Sequence, residues 1–369
     1  MKNIALILVF CLFIGIFSVG SFIAPDRDLS ENENRPLAQF PEITAEGVAK
    51  GRVQADLNTW FSDQLLWRDG LIAGKTRFQK LVGKRDVGDV YICRDGFYVE
   101  KTTESEIDTE ILENNLQAVD LFFKNSGLEA ARQNLMLVPP AGYILKDKLP
   151  DGAAFFDYEG RRDAAKSLKN GSFVDLTAVL KSKGEENYYK TDHHWTTDGA
   201  FSAYKHFCKI KGIEPLSFQK TLLSDSFLGT LHAKALDSDA KAEEIYSYRR
   251  KGDEDYRFSI NGKVTDFGIY DESKLATKDK YGYFFGGNYG ISTVENCGGE
   301  GHLLVIKDSF ANSFLPFLLP HYGKVTIIDP RFFIGSMSEL LKTEDVTDIL
   351  VLYGMETFIS DKNVPVILG

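Results

Sequence analysis

The sequence predicts an α/β fold built on a mainly parallel sheet. Near the C-terminus, three short and largely apolar runs at 303–307, 325–328 and 349–352 are separated by segments with helical spacing of apolar residues. Continuous apolar runs of this length are typical of strands buried on both faces, as parallel strands are. Their alternation with helices predicts a β-α-β-α-β arrangement in which helices cover the sheet.

Earlier segments follow the same alternation. The residues Val90–Val99 predict a β-hairpin, because two apolar runs flank the turn sequence Arg-Asp-Gly. The segment 108–125 predicts a helix that closes near Gly127, 135–138 predicts a buried strand, and 173–176 predicts the next strand. We therefore expect an α/β sandwich that continues through most of the chain.

The stretch 221–297 interrupts this alternation and predicts a β-rich excursion on the same domain. Asn261-Gly262 lies between two strand-like runs, and Asn-Gly is a strong signal for a two-residue hairpin turn. Within this stretch, Asp237–Asp255 carries many charges and is interpreted as a solvated loop.

The N-terminus carries an export signal. An uncharged apolar run, Ile4–Ala24, follows Lys2 and precedes an acidic flank. As a helix this run spans about 30 Å, the thickness of a bilayer's hydrocarbon core, and its flanking charges favour the rest of the chain outside the cytoplasm. The small residues Ser18-Val19-Gly20 also fit a cleavage site, so residues 1–24 are predicted to be either a membrane anchor or a signal peptide.

Two further segments follow the apolar run. Residues 25–44 are polar and contain Pro36 and Pro41, which predicts an extended linker without core elements. Residues 45–369 are predicted to form one domain, which opens with helical spacing of apolar residues from Val53 onward.

Composition argues against nucleic-acid binding and against a structural zinc site. The formal charge is −10 and the pI is about 5.2, whereas nucleic-acid binders concentrate Lys and Arg to displace counterions. Cys11 lies in the apolar run, and Cys93, Cys208 and Cys297 are widely spaced without a Cys/His zinc pattern. Buried free thiols are the favoured interpretation, and one disulfide among the last three stays an alternative.

Ser309 is a candidate nucleophile. It follows the strand predicted at 303–307 and precedes a segment of helical character, so it lies where a strand turns into a helix. At such a turn the first helical N–H groups lack internal partners and face a developing oxyanion. A simple helix-capping role for Ser309 stays an alternative, and Asp308 is expected to cap or brace the same turn.

A second candidate site is Asp192-His193-His194, which holds two of the six histidines beside a carboxylate. A serine hydroxyl becomes nucleophilic when a base takes its proton. A histidine whose other ring nitrogen is held by a carboxylate performs this role near neutral pH. Asp192 and His194 share one side of an extended segment, and a helix is predicted from Thr196. Two alternatives stay open, packed core histidines and a metal site that also includes Asp198.

Several strings in the sequence resemble the DHHW protein family, in the family's order and along almost the whole chain. They are ENRPLAQFPEIT, DQLLWRDGLI, VYICRDGFYVE, DHHWT and KDSF, which begin at residues 33, 63, 90, 192 and 307. This family looks related to the SGNH-hydrolase-like domains of the alginate O-acetyltransferases AlgJ and AlgX. The resemblance implies an SGNH-hydrolase-like three-layer sandwich with a mainly parallel sheet.

By this resemblance, Asp192 and His194 supply the acid and base of a catalytic triad, and Ser309 supplies the nucleophile. The triad's chain order is that of the alginate-type proteins and the reverse of that in ordinary SGNH hydrolases. Lys307 stands where the family commonly has glycine, so this chain departs from the family's pattern at the turn before Ser309. The resemblance implies neither a metal nor an organic cofactor.

The function implied is that of an exported serine-dependent O-acyltransferase, in particular an O-acetyltransferase. It would pass an acyl group through an acyl-enzyme to an envelope or extracellular polysaccharide. A membrane-bound O-acyltransferase is the implied acyl supplier. Two alternatives stay open, a carbohydrate esterase or deacetylase that uses water as the acceptor, and a non-catalytic envelope protein that binds glycan or assists assembly.

Further residues are candidates for lining the site. Asn288 lies in a Gly-rich turn, and its amide is a candidate donor to an oxyanion. Arg331 follows the 325–328 strand and Tyr353 ends the next strand, so both are expected at the carboxyl edge of the sheet, where ligands bind. Aromatic residues near these motifs are interpreted either as faces for sugar rings or as core: Tyr188, Tyr189, Trp195, Tyr281, Tyr283 and Tyr289.

Overall fold

The computed structural model describes residues 2–30 and 35–369 of the chain. Residues 31–34 of the predicted linker, with the start of the string ENRPLAQFPEIT, lie outside the described residues. The helices within the described residues are α1 (Lys2–Ile23), α2 (Ala45–Ala49), α3 (Arg52–Asp63), α4 (Arg68–Leu81), α5 (Thr109–Ser126), α6 (Ala141–Ile144), α7 (Tyr158–Ala165), α8 (Thr177–Lys181), α9 (Thr197–Lys211), α10 (Thr230–Ala235), α11 (Leu315–Leu318), α12 (Met337–Thr343), α13 (Met355–Phe358) and α14 (Val364–Leu368).

Many of the strands fall where the apolar runs of the sequence predict them, whereas Gln219–Phe227 and Glu243–Arg249 were not predicted as individual strands. The strands are β1 (Leu29–Ser30), β2 (Arg35–Pro36), β3 (Asp86–Val87), β4 (Val90–Ile92), β5 (Tyr98–Glu100), β6 (Gln133–Val138), β7 (Ser172–Val174), β8 (Gln219–Phe227), β9 (Glu243–Arg249), β10 (Arg257–Ile260), β11 (Lys263–Val264), β12 (Ile291–Glu295), β13 (His302–Lys307), β14 (Lys324–Ile328) and β15 (Asp348–Gly354).

The chain divides into two compact units. Residues 45–88, which were predicted to belong to the domain that continues to residue 369, group with α1. The reason is local packing of aromatic rings, because the Trp60 ring of α3 contacts Phe22 of α1 at 5.3 Å and Phe40 at 5.0 Å between centroids. The first unit is Met1–Gly88 with His232–Ala240, and the second is Asp89–Leu231 with Lys241–Gly369.

Helix α1 of the first unit carries the predicted apolar run. Its residues Ile4–Ile23 are long and apolar enough to cross a membrane, and they are almost entirely exposed. The core helix of a soluble domain would be mostly buried. An exposed apolar helix at the N-terminus fits a membrane anchor or a signal segment.

The described residues of the segment 25–44, namely 25–30 and 35–44, are extended, but they do not form a free tether. The Asp26 carboxylate accepts a hydrogen bond of 2.8 Å from Trp60 Nε1, and the Ala38 backbone N–H donates to Asp63 Oδ2 at 2.9 Å. Leu37 is buried, contrary to the expectation that no core element lies here. The linker is therefore held along helix α3, because its own backbone groups find partners there.

The second unit is built on an eight-stranded mixed sheet, in the order β11-β10-β12-β14-β13-β15-β6-β7. The run β14-β13-β15-β6-β7 is parallel, which confirms the mainly parallel sheet predicted from the sequence. Strands β12, β10 and β11 continue it with antiparallel pairing. Strand β13, whose carboxyl end leads to Ser309, lies near the middle of the sheet.

The predicted β-rich excursion is largely part of this sheet. Strands β10 and β11 form the predicted hairpin, and its turn residues Asn261 and Gly262 both have positive φ, 50° and 77°. That conformation suits the Asn-Gly pair and matches a primed two-residue turn. A separate hairpin of β8 and β9 accounts for the rest of the strands before β10. Strand β9, over Glu243–Arg249, lies in the charge-rich stretch that was interpreted as a solvated loop.

Helices cover both faces of the sheet, which makes three layers. Along β13, Leu303 and Val305 belong to one hydrophobic cluster, whereas Leu304 and Ile306 belong to another. Successive side chains of a strand point to opposite faces, so the two clusters are the two faces of the sheet. The first cluster includes residues of α9 and α11, and the second includes residues of α5, α12 and α14.

The cysteines of the chain are free thiols, as favoured from the sequence. Cys208 and Cys297 are buried, Cys93 is half-buried and Cys11 is exposed on α1. Burial raises the pKa of the Cys93 and Cys297 thiols to about 12, so both stay protonated and unreactive near neutral pH.

The C-terminal helices are joined to α5 by one buried amide. Asn115 Nδ2 donates to the carbonyl oxygens of Phe358 at 2.6 Å and Asp361 at 2.9 Å. We expect Asn115→Ala to lower the free energy of unfolding by about 1–3 kcal/mol, because two buried carbonyls lose their donor. Denaturant unfolding measures this effect, and exposed Asn114→Ala on the same helix is the control. Equal stabilities of the two variants would contradict this role.

Candidate active site

Ser309 lies in a braced turn at the carboxyl end of β13. The preceding Asp308 is fully buried, and its carboxylate accepts hydrogen bonds of 2.9 Å from the backbone N–H groups of Phe310 and Gly354. The turn is thus tied to the end of the neighbouring strand β15, which confirms the expected bracing role of Asp308. The helix that begins at this turn, Ser309–Ser313, is a short 3-10 helix.

The structure brings Asp192, His194 and Ser309 together. His194 Nδ1 lies 2.6 Å from Asp192 Oδ1, and His194 Nε2 lies 2.8 Å from Ser309 Oγ. Because an ionised carboxylate only accepts, Nδ1 carries the proton and Nε2 accepts from the serine hydroxyl. This is the order of contacts in a Ser-His-Asp arrangement that acts on acyl groups.

The second oxygen of the Asp192 carboxylate is held by the first residue of helix α10. Asp192 Oδ2 accepts from the Thr230 backbone N–H at 2.8 Å and from Thr230 Oγ1 at 3.0 Å. Residue 229, which precedes Thr230, must be glycine, because a Cβ at Gly229 would lie 2.2 Å from Asp192 Cβ. Sequence reasoning missed both residues, because a Gly-Thr pair 38 positions away carries no local signal of this contact.

The backbone before Asp192 is fixed by Glu243 at the start of β9. Its carboxylate accepts from the backbone N–H groups of Lys190 at 2.8 Å and Thr191 at 2.7 Å, and from Thr191 Oγ1 at 2.5 Å. Burial raises the pKa of Glu243 above its ordinary range. The charge-rich stretch therefore contains a structural element of the site, which its interpretation as a solvated loop overlooked.

The two residues after His194 join the site to its surroundings. Trp195 is fully buried, and its Nε1 donates to Phe310 O at 3.0 Å and to Ser313 Oγ at 3.1 Å. Thr196 caps α9, since its Oγ1 accepts from the Gly199 N–H at 3.1 Å. The DHHWT string therefore contains the hydrogen-bonded pair Asp192 and His194, a bond to the turn that carries Ser309, and a helix cap.

Tyr281 covers the imidazole of His194. Its ring stacks on His194 with 3.9 Å between centroids and 10° between planes, and its hydroxyl donates to Ser309 O at 3.1 Å. The same hydroxyl lies 3.0 Å from Ser313 Oγ. Tyr281 was singled out in the sequence as an aromatic face for sugar or as core. It is buried in the core, where it packs against His194 and holds this ring beside Ser309.

Burial sets the protonation states of this site. The pKa of His194 is lowered to about 4, chiefly by burial and also by the neighbouring His193, while Asp192 opposes the shift. Burial alone would raise the pKa of Asp192, but the neighbouring imidazoles hold it well below its usual range. His194 is therefore neutral and Asp192 ionised at neutral pH, as a general base and its orienting carboxylate must be.

The metal alternative receives limited support from the geometry. Ligand atoms of Asp192, His193 and His194 lie within 4.8 Å of one another, which is close enough to hold an ion. However, both ring nitrogens of His194 already contact Asp192 and Ser309. The expected further ligand, Asp198, instead accepts from Lys220 at 2.6 Å and from Tyr248 at 2.5 Å. The arrangement suits proton transfer better than a metal centre with several ligands.

Asn288 is held by a buried cation. Lys307 Nζ donates to Asn288 Oδ1 at 2.5 Å and to Asn312 Oδ1 at 2.7 Å, and Asn312 Nδ2 donates to Asn288 Oδ1 at 3.2 Å. Because its oxygen faces these donors, the amide orientation of Asn288 is fixed and its N–H groups point away from Lys307. Burial lowers the pKa of Lys307 to about 8. The lysine that departs from the family's glycine thus organises the turn beside Ser309.

Arg331 and Tyr353 differ in their suitability for a site. Arg331 lies beyond the carboxyl end of β14 and forms a two-point ion pair with buried Asp329, at 2.9 and 2.6 Å. Tyr353, in contrast, is fully buried in the hydrophobic cluster on the other face of the sheet, with its hydroxyl 3.5 Å from Asp361 Oδ2. The expectation that Tyr353 lines the crevice is therefore wrong, because its side chain points to the opposite face from Leu352.

Most of the aromatic residues considered as sugar-binding faces belong to the core. Tyr289 is the exception among them, because it is only partly buried and packs against the first cluster. The buried ones are Tyr188, Tyr189, Trp195, Tyr281 and Tyr283.

Two family models match the chain. The model described as DHHW protein matches residues 166–328, and the model described as SGNH hydrolase-like domain, acetyltransferase AlgX, matches residues 97–210. The two matches together include Asp192, His194 and Ser309. The comparison with curated proteins gives no match.

Two of the solved structures that match the chain come from Eubacterium siraeum and Bacillus cereus. A DHHW family protein from Eubacterium siraeum is 20% identical, with a TM-score of 0.63 over 76% of this chain and 95% of that chain. Bacillus cereus PatB1 with a sulfonyl adduct is 20% identical, with a TM-score of 0.59 over 73% of this chain and 95% of that chain. At this identity the likeness concerns the fold. The resemblance predicted from the sequence is therefore confirmed: the chain is similar to DHHW proteins and to the SGNH hydrolase-like domain of acetyltransferase AlgX, and its second unit has that α/β fold.

Proposed function

We propose that the protein is a serine-dependent O-acyltransferase, in particular an O-acetyltransferase, that acts outside the cytoplasm on a polysaccharide. The observation that carries the proposal is the distance of 2.8 Å between His194 Nε2 and Ser309 Oγ, with Asp192 at 2.6 Å from Nδ1. When a serine hydroxyl, a base and a carboxylate are hydrogen-bonded in this order, the serine is able first to accept an acyl group and then to donate it.

In the first half-reaction, Ser309 Oγ attacks the carbonyl carbon of an acyl ester while its proton passes to His194 Nε2. Asp192 stabilises the imidazolium that forms. The tetrahedral intermediate then expels the donor's alcohol oxygen, which takes the proton from His194. The products are an acyl ester on Ser309 and the free alcohol of the donor.

In the second half-reaction, a sugar hydroxyl loses its proton to His194 and attacks the acyl-enzyme. The ester bond to Ser309 breaks, and Ser309 Oγ recovers a proton from His194. Acyl transfer prevails over hydrolysis when the sugar hydroxyl, and not water, is bound in position for attack. A carbohydrate esterase is the alternative in which water takes the place of the sugar.

The developing negative charge on the carbonyl oxygen requires donors that are fixed in advance. In the proposed mechanism Asn288 is one of them, because Lys307 and Asn312 occupy its amide oxygen and leave its N–H groups for another acceptor. Arg331, whose guanidinium is held by Asp329, is a second candidate contact for substrate at the same edge of the sheet.

Substrate class and location rest on the similarities and on helix α1. The match to a domain of an acetyltransferase supports acetyl as the acyl group. The resemblance to alginate O-acetyltransferases supports a polysaccharide acceptor and a membrane-bound O-acyltransferase as the acyl supplier. The exposed apolar helix α1 supports a place outside the cytoplasm, at the membrane or after export.

The proposal predicts acetyl transfer that depends on Ser309. Purified protein is incubated with p-nitrophenyl acetate and a panel of oligosaccharides, and mass spectrometry detects the increment of one acetyl group on a sugar. Ser309→Ala and His194→Ala each lower ester turnover by at least about 10³-fold, and the double variant is no slower, because the residues act as a unit.

The control for this experiment is Ser182→Ala, an exposed serine of the same unit, which retains full turnover. Undiminished turnover in Ser309→Ala would disprove the nucleophile. Ester consumption without any acetylated sugar would favour the esterase, and the absence of both activities would favour a non-catalytic glycan-binding or assembly protein. Loss of turnover with a chelator would favour the metal alternative.

The pKa of His194 predicts the acid limit of the reaction. Because the base must be neutral and its pKa is lowered to about 4, kcat/KM stays constant from neutral pH down to about pH 5 and falls near pH 4. His193 contributes to the lowering, so His193→Gln raises the pKa of His194 and shifts the acid limb to higher pH. His321→Gln is the control, and an acid limb near pH 6.5 in the unaltered protein would contradict this prediction.

The role of Asn288 predicts a loss in kcat. Asn288→Ala lowers kcat by about 10²–10³-fold with little change in KM, because a donor to the oxyanion acts in the transition state. Steady-state kinetics with a chromogenic acetyl ester measures the effect, and Asn114→Ala serves as the control. A raised KM with unchanged kcat would assign Asn288 to substrate binding instead.

A further inference from the structure

Helix α4 of the first unit exposes an apolar stripe that its fold leaves uncovered. Trp67 precedes the helix and is 76% exposed, while Phe78 and Leu81 near its end are 64% and 79% exposed. These residues recur at helical spacing, so their side chains share one side of the helix. We call this surface the α4 stripe, and its members are Trp67, Leu71, Phe78, Leu81 and Val82.

The rotation of α4 is fixed by contacts on its other side. Thr76 is buried, and its Oγ1 donates to Ala235 O at 2.7 Å. Lys80 Nζ lies 2.7 Å from Asp237 Oδ2 and 2.6 Å from Asp239 Oδ2. Both contacts lie within the first unit, so the α4 stripe faces outward because the opposite side of the helix is bound.

The α4 stripe is surrounded by cations in a chain whose formal charge is −10. Residues 67–85 contain six Lys or Arg residues and one acidic residue, Asp69, which gives this segment a formal charge of +5. Exposed cations lie both beside the α4 stripe and just beyond its end: Lys75, Arg77, Lys84 and Arg85. A helix with an apolar side flanked by Lys and Arg is typical of segments that lie in a membrane interface.

Contacts with α1 indicate where a membrane lies. The Trp67 ring lies 6.5 Å from the Phe17 ring in an edge-on arrangement, and the Leu66 backbone N–H donates to Ser21 Oγ at 2.8 Å. Gly20 permits this approach, since a Cβ there would lie 2.8 Å from Leu66 Cδ2. Phe17 and Gly20 belong to the last turns of the apolar span Ile4–Ile23. Trp67 therefore lies at the level where the span leaves the hydrocarbon, which is the level that tryptophan prefers.

We infer that the α4 stripe lies in the lipid–water interface next to the end of α1, with its flanking cations on the headgroups of anionic lipids. The inference rests on the proposed use of α1 as a membrane anchor. Apolar side chains and several cations together attract an anionic bilayer, and each strengthens the effect of the other.

A second copy of the chain fits the α4 stripe less well than a lipid surface does. Pairing two stripes would bring two segments of formal charge +5 together at close range, and like charges across an interface oppose association. Anionic headgroups, in contrast, complement the cations while the acyl chains cover the apolar residues.

The test places the full chain in phosphatidylcholine vesicles that either contain or lack phosphatidylglycerol. The acyl chains of the lipids carry bromine, which quenches the fluorescence of tryptophan residues in contact with them. The quenching due to Trp67 is the difference between the unaltered protein and Trp67→Phe, because Trp60 and Trp195 are buried. We expect Trp67 to be quenched, more strongly with phosphatidylglycerol present. The combined change Lys75→Glu and Arg77→Glu should abolish this dependence on phosphatidylglycerol.

Phe78→Ser with Leu81→Ser should reduce the quenching of Trp67, whereas Val48→Ser, an exposed residue of α2, should leave it unchanged. Circular dichroism confirms that each variant folds. If the chain resists alkaline extraction from the vesicles but Trp67 is not quenched, the inference is overturned. It is also overturned if the protein is a dimer that the combined change Phe78→Ser and Leu81→Ser dissociates. A chain that alkali extracts would overturn the anchor and the inference together. None of these measurements involves Ser309, so a failed acyl-transfer assay leaves them unaffected.

Discussion

The hydrogen bond between His194 Nε2 and Ser309 Oγ joins two segments that are 115 residues apart in the chain. One segment is the loop before α9, and the other is the turn at the end of β13. The proposed chemistry requires both to be held to within a few tenths of an ångström. The Trp195 indole supplies a second bond between them by donating to Phe310 O, one residue beyond the serine. The central parallel strands supply the rest, because β13 and β15 fix the turn from which Ser309 projects.

The site is a buried polar network, and the hydrogen bonds that its charged groups form explain their protonation states. Asp192 accepts four hydrogen bonds, two from His194 and two from Thr230, so a buried charge has partners for both oxygens. Burial keeps His194 neutral while the imidazoles keep Asp192 ionised. Lys307 is a second buried charge, and it is held by the amide oxygens of Asn288 and Asn312. Removing one partner from such a network costs more than the bond itself, because the remaining group stays buried and unpaired.

Sequence analysis predicted those features whose causes are local. The Asn-Gly turn, the helix end at Gly127 and the strands of the parallel sheet follow from residue chemistry within a few positions. Thr230 and Glu243 were missed, since their contacts with the DHHWT loop arise from chain folding over dozens of residues. Tyr353 was misplaced for a different reason. Its predicted position at the carboxyl end of β15 is correct, but side chains alternate along a strand, and that of Tyr353 points to the other face of the sheet.

The packing around the His194 ring has a kinetic consequence. The imidazole lies between Tyr281 at 3.9 Å and His193 at 3.8 Å, with Phe310 at 5.0 Å, so it has no room to swing between two positions. In the proposed reaction, one immobile base must therefore serve the donor's alcohol and the acceptor's hydroxyl at a single location. The departing alcohol has to leave before the acceptor enters. Donor and acceptor consequently take turns on the enzyme, in a ping-pong sequence, and each becomes a competitive inhibitor of the other when it is in excess.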